Sequence, residues 1–351
     1  MSYRWFPRLT RRARLAALLV LSLAAMPAAL ALAESGDTPA WHLGHGFRNL
    51  DNGYSYTMSG RAWSFLRRAV TREPARGTPP RPLANNGAEL RSNGTHPTVT
   101  WVGHATLLVQ LAGVNILTDP IWADHVGPPI FGVNRLVPPG IRFEDLPRIQ
   151  AVVISHDHYD HLDLPTVHRL AREHNPTFFV PLGVGAWLAE RGITNVVELD
   201  WWQSHTLNGL TFTATPAQHS SGRGLLDQNE RLWASWVIVG GGKRFFFGGD
   251  TGYCKSMAEI GRRLGPFDVA ALPIGGYSAF TAKHPNHVNP EEALQLFDDL
   301  RGKVLVPMHW GTFAMNREPF REPPTRLLAE ALKRGEEEHV AILSQGQSIG
   351  W

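Results

Sequence analysis

Cysteine is almost absent: Cys254 is the only one in 351 residues. A chain with one thiol makes no internal disulfide and cannot build a cysteine-rich zinc module. So few thiols also suit an oxidising compartment, where spare ones mispair. Charged residues are modest too, at 19% against 43% hydrophobic, which excludes a solvated, disordered chain. No internal repeat of fixed period is found. The sequence is rich instead in histidine, with 16 residues. Any metal site must therefore rest on imidazole and carboxylate.

The formal charge is +3 and the calculated pI about 9.2, which raises a nucleic-acid partner. The surplus sits at one end. Arg4, Arg8, Arg11, Arg12 and Arg14 precede an apolar run over 15–26, and Ala31-Leu32-Ala33 follows. A basic head, an apolar middle and small residues at the end describe a secretory signal peptide over 1–33. Export to a periplasmic or extracellular location is expected, with cleavage after Ala33. Retention as an uncleaved membrane anchor is the alternative, although the run is short for a bilayer span. Residues 10–15 also partly resemble a twin-arginine export signal. Without the five arginines the chain is slightly acidic, so no nucleic-acid partner is expected.

Residues 34–97 are rich in Gly, Pro, Asn and Arg and read as an irregular N-terminal arm, with one short helix at 62–70. From 98 onward β patterns dominate. Strands are expected at 98–102, 106–111 and 114–118, with Ala112-Gly113 as a tight turn. Further strands are expected at 151–154, 178–180, 196–199, 210–214, 233–239, 244–247, 269–272, 304–307 and 340–343. Helical patterns fit 164–174, 185–191, 254–264, 290–300 and 324–334. Asn289 suits an N-cap, and Pro290 and Pro324 suit first turns. One large α/β domain over 98–351 is favoured over two.

The strongest chemical signal is His156-Asp157-His158-Tyr159-Asp160-His161. It leaves an apolar strand. In an extended segment His156 and His158 point the same way, because side chains alternate with period two. A turn after them brings Asp160 and His161 to a second position nearby. Four donors in six residues can serve two adjacent ions, Zn²⁺ first, with Mn²⁺ or Fe²⁺ as alternatives. More donors wait at other strand ends: His219, Asp250 after paired glycines, and His309. Singly, each could be an ordinary capping residue; together with the loop they suggest one site.

These residues resemble the metal-binding motifs of the metallo-β-lactamase superfamily, and within it the branch of N-acylphosphatidylethanolamine-hydrolysing phospholipase D. The matching segments are Trp101-Val-Gly-His-Ala-Thr106, Leu117-Thr-Asp-Pro-Ile121, Ile154 through Asp163, Leu232-Trp-Ala-Ser-Trp236, Gly248-Gly-Asp-Thr-Gly-Tyr253, His287-Val-Asn-Pro-Glu-Glu292 and Met308-His-Trp-Gly-Thr312. They span about 98–313, with Gly46-Phe-Arg-Asn49 as a weaker match upstream. The resemblance implies a four-layer αβ/βα sandwich of α/β class. It implies one zinc held by His156, His158, His219 and Asp250. Asp160, His161, His309 and the shared Asp250 would hold the other.

It also implies phospholipase D-type hydrolysis of a phosphodiester. A hydroxide bridging two metal ions would be the nucleophile, since such water has a pKa near 7. Asp160 would orient it as well as bind metal. Asp119 could hydrogen-bond a ligand histidine or merely form the turn before Pro120. His287 matches a position that contacts the substrate phosphate and could protonate the leaving oxygen; His284 competes for that role. Tyr159 matches a substrate-contacting position or packs beneath the loop. A phospholipid substrate would need an apolar entrance, and a peripheral membrane contact is expected with it. Trp122, Phe131, Trp187, Trp201 and Trp202 are the aromatic candidates, each with core packing as the ordinary alternative. The competing readings are another hydrolase of this fold, such as a lactonase, and a non-enzymatic exported metal-binding protein.

Overall fold

Apolar residues recur on both faces of the strands, so both faces must be covered. The computed structural model describes residues 38–51, 77–128, 132–277, 284–313, 315 and 318–351. The segment 1–33, the helix expected at 62–70 and Phe131 lie outside them.

A short helix α1 (Ala88–Ser92) precedes the meander β1 (Thr98–Gly103), β2 (Thr106–Leu111) and β3 (Val114–Thr118). A small hairpin follows, β4 (His125–Val126) with β5 (Val133–Asn134). Then come β6 (Ala151–Val153), α2 (Leu164–Glu173), β7 (Thr177–Pro181), α3 (Val184–Ala189) and β8 (Val196–Leu199). The second half runs β9 (Ser204–Leu207), β10 (Leu210–Thr215), β11 (Ser235–Gly240), β12 (Lys243–Phe247), α4 (Ser256–Leu264) and β13 (Val269–Pro273). It ends with α5 (Pro290–Asp299), β14 (Leu305–Met308), α6 (Glu322–Arg334) and β15 (Ser348–Gly350).

Two large sheets result, with orders β15-β1-β2-β3-β6-β7-β8 and β14-β13-β12-β11-β10-β9. Each half follows one plan. An antiparallel meander ends in parallel strands, joined by crossover connections that are helical except between β3 and β6. The sheets face each other across an aromatic core. Phe179 stacks on Phe212 with ring centroids 4.0 Å apart, and the Trp236 indole donates to the Ile154 carbonyl of the opposite sheet at 3.0 Å. Alternation sends Val152, Phe178 and Val180 outward against Val167, Leu170 and Leu188 of α2 and α3. On the other outer face Ile260, Leu294, Phe297 and Leu327 come from α4, α5 and α6. Helix, sheet, sheet, helix makes four layers.

Helix α5 starts as its sequence implies. The Asn289 side chain accepts from the Glu292 amide at 2.8 Å, and the Asn289 amide donates to the Glu292 carboxylate at 3.2 Å. Pro290 takes the first turn, where its missing N–H costs nothing. Other expectations need correction. Residues 340–343 make no regular strand; Val340 forms one isolated bridge to Leu305. The terminal strand is β15, paired with β1. Polar β9 is a further strand, held by its hairpin with β10.

The arm packs on this frame. Trp41 donates to Asp200 at 2.8 Å, and the Asn49 amide donates to the His219 carbonyl at 2.8 Å. The turns after β3, β6, β10, β12 and β14 all open at one rim, where ligands of open α/β sheets gather.

Candidate metal centre

Strand β6 ends at Val153, and the next residues turn sharply under Asp119. The Asp119 carboxylate accepts from the Ser155 amide at 2.6 Å and the Ser155 hydroxyl at 2.5 Å. Asp250 follows β12 through Gly248-Gly249. A Cβ at Gly249 would lie 2.5 Å from the Ser155 Cβ, so the two sheets meet here only because a side chain is missing. Asp119 and His309 hold left-handed backbone, with φ of 33° and 62°. Non-glycine residues rarely do so, and such positions cluster at functional sites.

The sequence-derived ligand set converges at this rim. In one group His156 Nε2 lies 2.8 Å from His158 Nδ1, and His219 Nε2 lies 3.3 Å from the same atom. In the other, His161 Nε2 is 3.3 Å from Asp160 Oδ2, and His309 Nε2 is 3.5 Å from it. Asp250 stands between them. Its Oδ2 is 3.2 Å from His161 Nε2 and 3.8 Å from His219 Nε2, while its Oδ1 is 3.2 Å from His309 Nε2. A tetrahedral ion with bonds of about 2.0–2.1 Å needs ligand atoms about 3.3 Å apart. These separations bracket that value. Among the described residues the buried atoms His161 Nε2, His309 Nε2 and Asp250 Oδ1 also have no hydrogen-bond partner. Burying such atoms unsatisfied is costly. The donor set therefore fits two divalent ions.

The outer ring nitrogens are pinned. His161 Nδ1 meets Asp119 Oδ2 at 2.7 Å, His156 Nδ1 meets the Ser155 hydroxyl at 2.9 Å, and His219 Nδ1 donates to the Asn286 carbonyl at 3.0 Å. Each partner fixes a ring so that Nε2 faces inward. Asp119 is fully buried behind His161 and does not line the open pocket, so it acts through His161 and not on a reacting atom. Asp119→Ala is expected to weaken metal binding by roughly 10–100-fold. Competition with a chromophoric chelator measures this; unchanged affinity would remove Asp119 from the site.

Charge at the site favours a cation. Burial works against ionised carboxylates, yet His161 and its neighbours hold Asp160 and Asp250 well below the usual range. Burial keeps His156 far below its ordinary value and His219 down at about 3, so both are the neutral ligating form. Burial opposes charge on His309 as well, but Asp250 and Asp160 raise it to about 9. Without metal, this proton on His309 stabilises the fold fully below about pH 6.5, and the contribution is lost as pH rises through about 9. Metal must displace that proton. Apparent affinity should thus fall about tenfold per pH unit for each proton displaced as pH drops below about 9. Calorimetric titration in buffers of different ionisation heat counts the protons; affinity independent of pH would contradict the assignment.

Above the cluster lies an open cavity of about 450 Å³. His158, Asp160, His219, Asp250 and His309 form its floor, with His284, His287, Tyr159 and Arg223 on the walls. His287 Nδ1 lies 3.8 Å from Asp250 Oδ2, and its ring centroid is 5.2 Å from that of His219. Tyr159 carries the Arg223 guanidinium over its ring at 4.0 Å. The expected aromatic entrance is not built from the described tryptophans. Trp201 is buried between the sheets and donates to the Trp233 carbonyl at 2.6 Å, and Trp122 donates to the Ile141 carbonyl at 3.0 Å. Trp187 and Trp202 lie under Arg191 and Arg263. The rim is aliphatic instead: Val126, Pro128, Val133, Leu225 and Met315.

Sequence reasoning passed over several supporting residues. Asn49 bonds both ways with the His219 backbone, at 2.8 and 3.0 Å. The weak upstream match ending at Asn49 was its only signal. Asp157, a spacer within the histidine motif, is fully buried; it accepts from the Gly222 amide at 2.7 Å and from Arg231 Nε. Arg223 Nη1 donates to the carbonyls of Asp157 and Leu162, both at 2.8 Å.

A four-layer sandwich with a histidine–aspartate cluster at its rim defines a class. The beta-lactamase superfamily domain matches residues 114–310, and the chain belongs to that superfamily as a metal-dependent hydrolase. Among its relatives, an uncharacterized protein of Mycobacterium tuberculosis is 44% identical over 307 residues, 84% of this chain and 80% of that protein. The N-acyl-phosphatidylethanolamine-hydrolyzing phospholipase D 1 of Caenorhabditis elegans is 43% identical over 251 residues, 68% of this chain and 70% of that enzyme. Among solved structures, Igni18, a metallo hydrolase from Ignicoccus hospitalis, matches with a TM-score of 0.58 at 27% identity, covering 73% of this chain and 99% of its own.

Proposed function

We propose that this chain is a two-metal phosphodiesterase that cleaves N-acylphosphatidylethanolamine-like phospholipids at the phospholipase D bond. The observation that carries the reading is Asp250, one carboxylate that meets His161, His219 and His309 at 3.2–3.8 Å. It is supported by the 43% identity with the worm phospholipase. His156, His158, His219 and Asp250 would hold one ion; Asp160, His161, His309 and Asp250 would hold the other. Zinc suits imidazole and carboxylate donors, with manganese or iron as alternatives. Bound there, the ions supply Lewis-acid stabilisation of phosphate oxygens and a water acidified to near neutral pKa.

The side chains do the rest. Asp160, fixed at the floor, accepts a hydrogen bond from the attacking water and orients it toward phosphorus. His287 faces the cavity with its imidazole held neutral by burial, and its ring N–H donates a hydrogen bond to an oxygen of the phosphate. Arg223, stacked on Tyr159, places positive charge in the wall against the phosphate. A cavity of about 450 Å³ takes the headgroup and leaves the acyl chains along the aliphatic rim. There Leu225 is 39% exposed and Leu226 64% exposed. Both are placed to enter a lipid surface, so the protein works as a peripheral membrane enzyme after export. Changing both leucines to Ser should weaken binding to phospholipid vesicles roughly tenfold or more, with turnover of a soluble short-chain phosphodiester unchanged. Equal vesicle binding by variant and parent would reject that surface.

The test of function is a side-by-side assay of zinc-loaded protein on N-acylphosphatidylethanolamine, on phosphatidylethanolamine without the N-acyl chain, and on a sugar lactone. Release of phosphatidic acid from the N-acylated lipid, fastest of the three, is expected. Lactone opening with no phosphodiester turnover would overturn the reading.

A further inference from the structure

The segment Trp101 through Thr106 carries no role in the site so far, yet its histidine lies against it. His104 sits in the turn between β1 and β2, 2% exposed, with φ of 53°. Its Nε2 is 3.0 Å from Asp160 Oδ2. Its carbonyl accepts from the His309 amide at 3.0 Å and from the Trp101 indole at 2.9 Å. Its own amide donates to the Thr312 hydroxyl at 2.8 Å. The His104 and His309 ring centroids are 4.1 Å apart. One residue of the first sheet thus grips two donors that come from separate loops. A strained backbone pinned by three hydrogen bonds is a conformation the surroundings enforce, and such positions gather at functional sites.

We propose that His104 is the positioning residue of the second metal group: its Nε2–H sets the Asp160 carboxylate while its carbonyl sets the backbone of His309. The inference rests on the two-metal reading above. An ionised carboxylate only accepts hydrogen bonds, so the hydrogen in the contact with Asp160 belongs to His104 Nε2. A nitrogen that carries this hydrogen has no free pair for an ion. His104 lies in one cluster with Asp160, His161 and His309 whose donor atoms could hold an ion; with the hydrogen on Nε2 it serves Asp160 and not the metal. Nor does it touch substrate: it lines only a neighbouring cavity of about 30 Å³, too small for a phospholipid headgroup, and not the large one. Its place is behind the donors, where a fixed Asp160 keeps one oxygen turned toward His161 and His309.

The experiment measures zinc per chain, by elemental analysis after dialysis against graded chelator, on the parent, His104→Asn and His104→Gln. Asn tolerates the left-handed backbone but is too short to reach Asp160; Gln places an N–H close to the Nε2 position. Circular dichroism checks that each variant is folded. His104→Asn is expected to keep the first zinc and to bind the second about 10–100-fold more weakly. His104→Gln is expected to recover most of that loss, and the cobalt-substituted proteins should give parent-like absorption. Two zinc ions held by folded His104→Asn as tightly as by the parent would overturn the proposal while leaving the two-metal reading intact. Failure of His104→Gln to rescue, with cobalt absorption changed as for a lost ligand, would overturn it in favour of direct ligation. A parent that holds a single zinc would overturn the two-metal reading and this inference with it.

Discussion

Asp250→Asn is expected to leave a folded protein whose turnover falls on the order of 10³-fold. The carboxylate oxygens of Asp250 are 3.2 Å from His161 and His309 and 3.8 Å from His219, so one side chain serves both donor groups. Asn keeps the shape but gives up the charge and turns one donor atom into an N–H. That N–H would face histidine nitrogens that need to stay free for metal. Both groups lose a ligand at once. A loss of about 4 kcal/mol of transition-state stabilisation, at about 1.4 kcal/mol per tenfold, gives this size of effect. Elemental analysis should show metal content falling in parallel. Full turnover with unchanged metal content would refute the shared role of Asp250.

Asp157→Ala is expected to be the most destabilising change near the site that touches no metal donor. Asp157 is fully buried, and its partners are the Gly222 amide and Arg231. Arg231 also binds Asp227, and Arg223 holds the carbonyls of Asp157 and Leu162. This network ties the histidine loop to the segment 220–231 that walls the cavity. Removing one partner of a buried pair leaves an uncompensated charge, at a cost of about 3–5 kcal/mol. Arg231 retains Asp227 and lies at 9% exposure, which places the cost near the lower end, about 3 kcal/mol. At roughly 2–4 °C per kcal/mol, the melting midpoint should drop roughly 6–12 °C. A midpoint within a degree or two of the parent would show that the network is dispensable.

Much of the fold was legible because local signals agreed with the global structure. Strands 106–111, 114–118 and 196–199 fall where apolar runs and the Ala112-Gly113 turn put them. The histidine loop was legible for a similar reason: an apolar strand must end before polar donors can gather, and two-residue spacing sets their direction. Segments failed where tertiary pairing overrides pattern. Ser204 to Leu207 has no apolar alternation and becomes a strand only through its neighbour β10. The apolar residues 340–343 read as a strand, but they lie where only one bridge to β14 forms. The tryptophans misled for a different reason. Large aromatics are first of all core residues, and Trp201 satisfies its indole inside the sandwich. Asn49 and His104 carry no periodic signal at all. Their partners His219 and Asp160 lie 170 and 56 residues away in sequence, a relation only the folded chain reveals.

The most direct test of the two-metal account is a zinc titration of metal-stripped protein, with phosphatidic acid release from N-acylphosphatidylethanolamine as the readout. The account predicts no turnover without metal and a rise that levels off at two zinc ions per chain. Turnover by the stripped protein, or a plateau reached at one zinc, would contradict it.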